Sequence, residues 1–298
     1  MQFKYETVKF GSKNYPNLLK EIQNPPLAVH VRGRLPDESK LRVAIVGTRK
    51  ATSAGKNLAK EIGRRLAESG IIIVSGLAMG IDTAAHEGAL AGKGLTLAVL
   101  GCGIDTVYPA QNNNLAEEII ARDGAIISEY GPGVPSFPNQ FLERNRIVAG
   151  LCAATKVIEA PRNSGAIVTA RLAAESGREV LIFPGLANHP NYVGSHKLIR
   201  DGARLVSSFE DIIEDLSQIS NFQFPIFKET SSSQLSISKE IKDKNQLLII
   251  QTIQEAGQPV GVDKISELTK LEPQIVNQKI AFLVVSGIIK ETEKGYAL

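Results

Sequence analysis

Cysteine is scarce in this 298-residue sequence, and its two copies are poorly placed for chemistry. Cys102 and Cys152 sit in the apolar contexts "AVLGCG" and "VAGLCAAT" and make no C-x-x-C pair. That excludes a disulfide framework and a cysteine zinc site, and it leaves two buried thiols as the expectation. Histidine is nearly as scarce. His30, His86, His189 and His196 show no H-x-x-x-H or H-E-x-x-H spacing, so no structural metal is expected. No run of about 18 apolar residues is present, and the start, "MQFKYETVKFGS", lacks the uninterrupted apolar stretch of a signal peptide. A cytoplasmic protein without membrane insertion is the simplest expectation. Arginine is missing after residue 219: residues 239–298 carry eight Lys, no Arg and eight Asp+Glu, so the net charge of +3 belongs to residues 1–219.

What is present reads as a folded α/β protein. A hydrophobic content of 43% and a charged content of 22% argue against disorder. The length suits one sizeable core plus a small extra domain, at roughly 100–200 residues per domain. Seven apolar, β-branched runs alternate with helical patterns: "LRVAIVG" (41–47), "GIIIVSG" (70–76), "LTLAVLG" (95–101), "AIISEY" (125–130), "ATKVIEA" (154–160), "EVLIFPG" (179–185) and "ARLVSS" (203–208). Strands apolar on both faces and separated by helices predict a doubly wound, mostly parallel sheet. The first helical pattern places Leu58, Ile62 and Leu66 at i, i+4 and i+8, with Gly70 as its stop. Residues 1–40, with "NPPLAVHVRGRLPDE", read as an extension of this domain carrying an entry strand.

After residue 219 the pattern changes. Residues 220–240 lose periodicity and concentrate Ser and Thr, as a surface linker does. Residues 241–298 read as helix, short extended "PVGV", two helices and a terminal hairpin, the order of a small winged-helix domain. Asp263 is the expected N-cap of the second helix, Pro273 opens the third, and Gly287 and Gly295 mark stops. The recognition helix expected over 273–287 has one basic residue, Lys279, and offers mainly Gln274, Asn277 and Gln278 outward. A major-groove reader neutralises several phosphates, so this tail is expected to make protein contacts or weak auxiliary DNA contacts.

Three loops on the main domain carry candidate chemistry. "IVGTRKATSAGK" joins the first strand of the parallel series to a helix, where open α/β sheets bind ligands. It has no G-x-G-x-x-G, and Gly55–Lys56 lacks the rest of a Walker A loop, so nucleotide hydrolysis has no support there. A tight turn at Gly47, free N–H groups around Thr48 and the guanidinium of Arg49 suit a phosphate. The plain alternative is a solvated Arg49. "APRNSGAIVTARLAAESG" repeats the arrangement, with Arg162, Asn163, Ser164 and Gly165 before a helix; Ser164 as an ordinary N-cap is the competing reading.

The third is "FLERNRIVAGL" (141–151). On a helix, Phe141 shares a face with Arg144 and Asn145, while Arg146 lies about 200° around from Arg144. A ring, a guanidinium and an amide together can stack a base, pair a phosphate and bond a base edge. Arg146 is expected to brace the site through a buried ion pair or to reach a ligand around the helix end. The competing reading makes Phe141 core and the arginines partners of acidic neighbours. In "SGLAMGIDTAAHEGAL", Asp82 and His86 share a face, as a hydrogen-bonded structural pair or an acid–base pair. In "GCGIDTVYPAQN", Asp105, Tyr108 and Pro109 read as turn organisers.

Taken in order, "GTR", "SGLAMGIDTAAHEGAL", "LGCGIDTVYP", "FLERNRIVAGL" and "EAPRNSGAIVTARLAAESGREV" resemble the DNA-processing protein A (DprA/Smf) family. The resemblance covers nearly the whole chain, "YPNLLKEIQNPP" and the tail included. It implies an extended Rossmann-like domain with no nucleotide cofactor, binding single-stranded DNA in a basic pocket. Family members dimerise, bring the strand to RecA, help displace single-strand-binding protein and act in natural transformation. By position, the pocket would draw on Gly47, Thr48 and Arg49, on Gln140, Phe141, Arg144, Asn145 and Arg146, and on Asn163, Ser164 and Gly165. The helical N-terminal domain of many members has no counterpart in these residues, which puts its partner contacts in doubt here. The rival from another class is a nucleotide-hydrolysing enzyme similar to the lysine-decarboxylase-like phosphoribohydrolases. Their P-G-G-x-G-T motif and catalytic glutamate meet "PRNSGAIVT" here, without paired glycines and with only Glu175 later in the helix. A winged-helix transcriptional regulator is a third reading, weakened by the neutral tail.

Overall fold

The computed structural model describes residues 4–219, 243–285, 289–292 and 295–297. The chain divides into two compact units, Met1–Ile226 and Phe227–Leu298. The linker expected over 220–240 and the stop expected at Gly287 lie outside the described residues.

The first unit is built on one nine-stranded sheet. Its strands are β1 (Glu6–Lys9), β2 (Ala28–Gly33), β3 (Arg42–Val46), β4 (Ile72–Ser75), β5 (Thr96–Gly103), β6 (Ala125–Tyr130), β7 (Ala154–Val157), β8 (Glu179–Ile182) and β9 (Arg204–Leu205). The spatial order is β1-β2-β6-β5-β4-β3-β7-β8-β9. All seven expected runs form the parallel part of the sheet, from β6 across to β9. The entry strand becomes β2, which pairs antiparallel with β6. β1, which pairs antiparallel with β2, was not expected: of its four residues only Val8 is buried, too little for a strand signal.

The helices are α1 (Asn17–Lys20), α2 (Ser53–Glu68), α3 (Ile81–Ala91), α4 (Asn113–Ala121), α5 (Pro138–Gly150), α6 (Gly165–Glu175), α7 (Val193–Arg200) and α8 (Phe209–Ile219). They cover both faces of the sheet because its central strands are apolar on both. Every residue of β3 is buried. Val43 and Ile45 pack with Ile62, Leu66 and Ala85 of α2 and α3, while Ala44 and Val46 pack with Ile147 and Val148 of α5 and Ala170 of α6. The small residues of "AAHEGAL" have a packing reason. A Cβ on Gly88 would lie 2.1 Å from the Lys60 carbonyl oxygen, so α3 and α2 approach closely only with glycine there. Both cysteines are buried free thiols. Burial pushes Cys102 up to about 11 and raises Cys152 as well.

Strand order reverses at β3, with β4 on one side and β7 on the other. Each parallel strand ends at the same sheet edge, so the loops after β3 and β7 open a crevice at this switch point. That edge holds the candidate site.

The second unit contains α9 (Lys244–Ala256), α10 (Val262–Thr269), α11 (Pro273–Val285) and the hairpin β10 (Lys290–Thr292) with β11 (Gly295–Ala297). Val260, in the expected extended segment, bridges Tyr296 of the hairpin. A core of Ile249, Ile253, Val260, Ile265, Val276, Ile280 and Leu283 joins the three helices. One expected boundary differs: Gly261 caps α10, with Asp263 inside its first turn. Gly295, expected as a stop in the terminal hairpin, opens its second strand. Lys279, the single base of α11, is tied to Asp243 at 2.7 Å.

Candidate nucleic-acid interface

The loop after β3 is held from below. Thr48 N donates to the Glu159 carbonyl at 2.8 Å, and Thr48 Oγ1 accepts from Lys50 N at 3.2 Å. Gly47 cannot carry a side chain, because its Cβ would stand 2.4 Å from Ile81. The Glu159 carboxylate, fully buried, accepts from Thr52 N at 3.0 Å, Thr52 Oγ1 at 2.5 Å, Asn191 Nδ2 at 2.9 Å and Tyr192 Oη at 3.3 Å. Burial acts to raise its pKa, but these hydrogen bonds outweigh burial and lower it. Thr52 caps α2 by accepting from Gly55 N at 2.9 Å. The residues flanking Arg49 are therefore fixed while its side chain stands exposed; among the described residues the guanidinium has no acidic partner.

Helix α5 supplies the opposite wall. Pro138 opens it, and Gln140 Oε1 accepts from Phe137 N at 2.8 Å, so the buried Gln140 side chain is spent on the helix start. Phe141 packs on Gly101, with its ring centroid 5.2 Å from the Tyr108 ring and 5.4 Å from the Arg49 guanidinium carbon. The guanidinium beside the ring is thus Arg49, not Arg144. Arg144 is 5% exposed and turns inward, donating from Nη1 to the Gly76 carbonyl at 2.5 Å and to the Val99 carbonyl. Gly76 makes room for it, since a Cβ there would lie 2.4 Å from Nη1. Burial lowers the pKa of Arg144, Asp82 opposes that shift, and the Arg49 charge adds to it. Arg146 points away. It makes a bidentate, partly buried pair with Glu129 at 2.9 and 2.7 Å and donates to the Asn24 carbonyl at 2.9 Å. That is the expected bracing ion pair, and it keeps Arg146 from the crevice.

Between these walls lies a cavity of about 420 Å³ lined by Gly47, Thr48, Arg49, Arg144, Asn145, Asn163, Ser164 and Gly165, eight of the eleven expected residues. Asn145 Nδ2 donates to the Gly165 carbonyl at 3.3 Å, joining α5 to the turn after β7. Ser164 occupies the N-cap position of α6 but makes no cap hydrogen bond; its buried hydroxyl has no partner among the described residues. Lys50 adds a further cation to the lining and Asp82 is its one acid. Asp82 and His86 are not bonded to each other. Asp82 accepts from Gly76 N at 3.1 Å, and His86 Nδ1 meets Thr96 Oγ1 at 2.7 Å. Both are structural, with partners that sequence spacing could not name. Glu159, Asn191 and Tyr192 were also missed: a lone acid at the end of an apolar run carries no signal until the fold supplies its donors. Glu175 is exposed at the last position of α6, the end remote from the Ser164 turn.

Comparison with known proteins gives a consistent placement. A family model described as DNA recombination-mediator protein A matches residues 6–217. The DNA processing protein DprA of Streptococcus pneumoniae is 41% identical over 201 residues, covering 67% of this chain and 71% of that one. Protein Smf of Escherichia coli is 39% identical over 212 residues, 71% of this chain, and the match spans only 57% of the E. coli protein. Among solved structures, DprA from S. pneumoniae superposes with a TM-score of 0.66 at 37% identity, covering 71% of this chain and 74% of that one. DNA processing protein A from Helicobacter pylori, reported for its single-stranded DNA binding mode, does so with a TM-score of 0.64 at 30% identity, covering 73% of this chain and 97% of that one. The chain belongs to the DNA recombination-mediator protein A family.

Proposed function

We propose that this protein binds single-stranded DNA in the crevice between the β3 loop, α5 and the Asn163–Gly165 turn. It acts there as a non-enzymatic mediator that brings the strand to RecA during natural transformation. In this reading it works in the cytoplasm as a homodimer, with single-strand-binding protein as a further partner, and its C-terminal unit is a winged helix. One observation carries the reading: the Arg49 guanidinium and the Phe141 ring, 92 positions apart, meet 5.4 Å apart beside one cavity. The cation is available to a phosphate, and the ring, flanked by Tyr108, offers a stacking surface to a base. Arg49 and Arg144 also repel one another across the cavity, and a bound anion relieves that repulsion. The binding of single strands by the H. pylori relative supports the same reading.

The test is a pair of substitutions at the ring. Phe141→Ala removes a stacking platform worth about 1–3 kcal/mol per base and is expected to weaken binding of an oligothymidylate by about 10-fold or more. Phe141→Trp, which keeps a π-face, is expected to retain binding. Equal affinities for wild type and Phe141→Ala would remove the ring from the site.

A further inference from the structure

The cavity does not end at Ser164. A second groove of about 550 Å³ adjoins it and shares Leu142, Asn163, Ser164 and Gly165 as a common wall. Its other side is formed by α6 and α7, and three cations line it: Arg162 just before α6, Arg171 on α6 and Lys197 on α7. Its one acid is Asp201, which Lys197 meets at 3.1 and 3.2 Å. Both members of that pair are exposed, so the pair contributes little and Lys197 can exchange its carboxylate for a phosphate. Arg162 and Arg171 are exposed, and among the described residues neither side chain has an acidic partner. The groove is not purely polar. Leu142 stands 53% exposed at the junction of the two spaces, and Val168, on the same face of α6 as Arg171, is exposed beside it.

Two guanidinium groups held in solvent without counterions, flanking exposed apolar side chains, suit a chain with phosphates on one edge and flat bases on the other. We propose that this groove is the continuation of the strand path. Nucleotides leaving the Arg49 cavity pass the Asn163–Gly165 turn and run between α6 and α7, with phosphates on Arg162, Arg171 and Lys197 and bases over Leu142 and Val168. The proposal rests on the function proposed above, and it assigns a second, length-dependent subsite to the same ligand.

The experiment compares oligothymidylates of about 4 and about 12 nucleotides by fluorescence anisotropy over a range of salt, using the full chain. The variants are the double substitution Arg162→Gln with Arg171→Gln, Lys197→Gln alone, and Arg49→Ala. The double variant is expected to bind the short oligonucleotide as wild type does. It should bind the long one about 10-fold more weakly, with a salt slope shallower by about 1.4, the share of two phosphates on a single strand. Lys197→Gln should act in the same direction to about half that extent in slope. Wild-type binding of the long oligonucleotide by the double variant, while Arg49→Ala loses both lengths, overturns the extension and leaves the first cavity standing. Equal losses on both lengths overturn it too. So does unchanged affinity accompanied by a change in molecular mass in solution, which would make this face a contact between copies. Undiminished binding by Arg49→Ala instead removes the first cavity, a failure distinguishable from the others.

Discussion

Thr52 donates its hydroxyl proton to the Glu159 carboxylate at 2.5 Å while accepting the amide of Gly55 at 2.9 Å, so one side chain joins the start of α2 to the segment after β7. Because Asn191 and Tyr192 bond the same carboxylate, the loops after β3 and β8 both converge on Glu159 in the segment after β7, beneath the residues that present Arg49. Glu159→Ala leaves these donors unsatisfied in a buried place and is expected to cost about 2–3 kcal/mol by urea denaturation. The pH dependence has a definite sign. The folded pKa is lowered, so this stabilisation is present above the unfolded value and is lost as pH falls through the folded one. A Glu159→Ala protein as stable as wild type at neutral pH would show that the convergence is incidental.

Arg144 and Arg49 differ in kind although both line the cavity. Arg144 is buried and bonded to the Gly76 and Val99 carbonyls, so Arg144→Ala leaves two buried acceptors without a donor. A loss of about 2–5 kcal/mol in unfolding free energy is expected, at about 1–3 kcal/mol for each buried acceptor left unpaired. Arg49 is exposed, and Arg49→Ala is expected to stay within about 0.5 kcal/mol of wild type. Chemical denaturation of the two variants side by side checks the contrast; comparable stabilities would contradict it.

His86 makes the fold acid-sensitive. The Thr96 hydroxyl donates to the Ile73 carbonyl at 2.9 Å, so it accepts from His86 Nδ1, leaving the buried Nε2 bare and the ring neutral. Burial, with the nearby Arg144 charge adding to it, pushes its pKa down to about 3 from an ordinary 6.5. Between those values the unfolded chain holds a proton that the folded protein does not. Stability from this group is therefore complete above about pH 6.5 and falls by about 1.4 kcal/mol per pH unit below it. In His86→Gln the slope of unfolding free energy over that window is expected to flatten by that amount. An identical slope in both proteins would mean that His86 titrates normally.

Periodicity made the seven parallel strands visible because each is buried on both faces, and the caps and glycines made the helices between them visible. β1 was hidden because an edge strand with one buried residue has no pattern. At the site, helical phase put Phe141 and Arg144 on one face, correctly, but phase carries no information about depth. Arg144 reaches down to the carbonyls of Gly76, just past β4, and Val99 in β5, which lie 68 and 45 positions away, and the cation that meets Phe141 comes from another loop altogether. Glu159 was invisible for a related reason: its role depends on donors from Thr52, Asn191 and Tyr192, which only the strand order brings together.

The convergence of Arg49 and Phe141 on an unpaired strand is tested most directly by salt-titrated binding of one oligonucleotide, single-stranded and as a duplex, to the wild-type chain and to Arg49→Ala. Wild type should prefer the single strand, with affinity falling linearly in log salt, and Arg49→Ala should bind it more weakly with a slope shallower by about 0.7. A wild-type protein that prefers the duplex, or an Arg49→Ala protein with unchanged affinity and slope, would contradict the assignment.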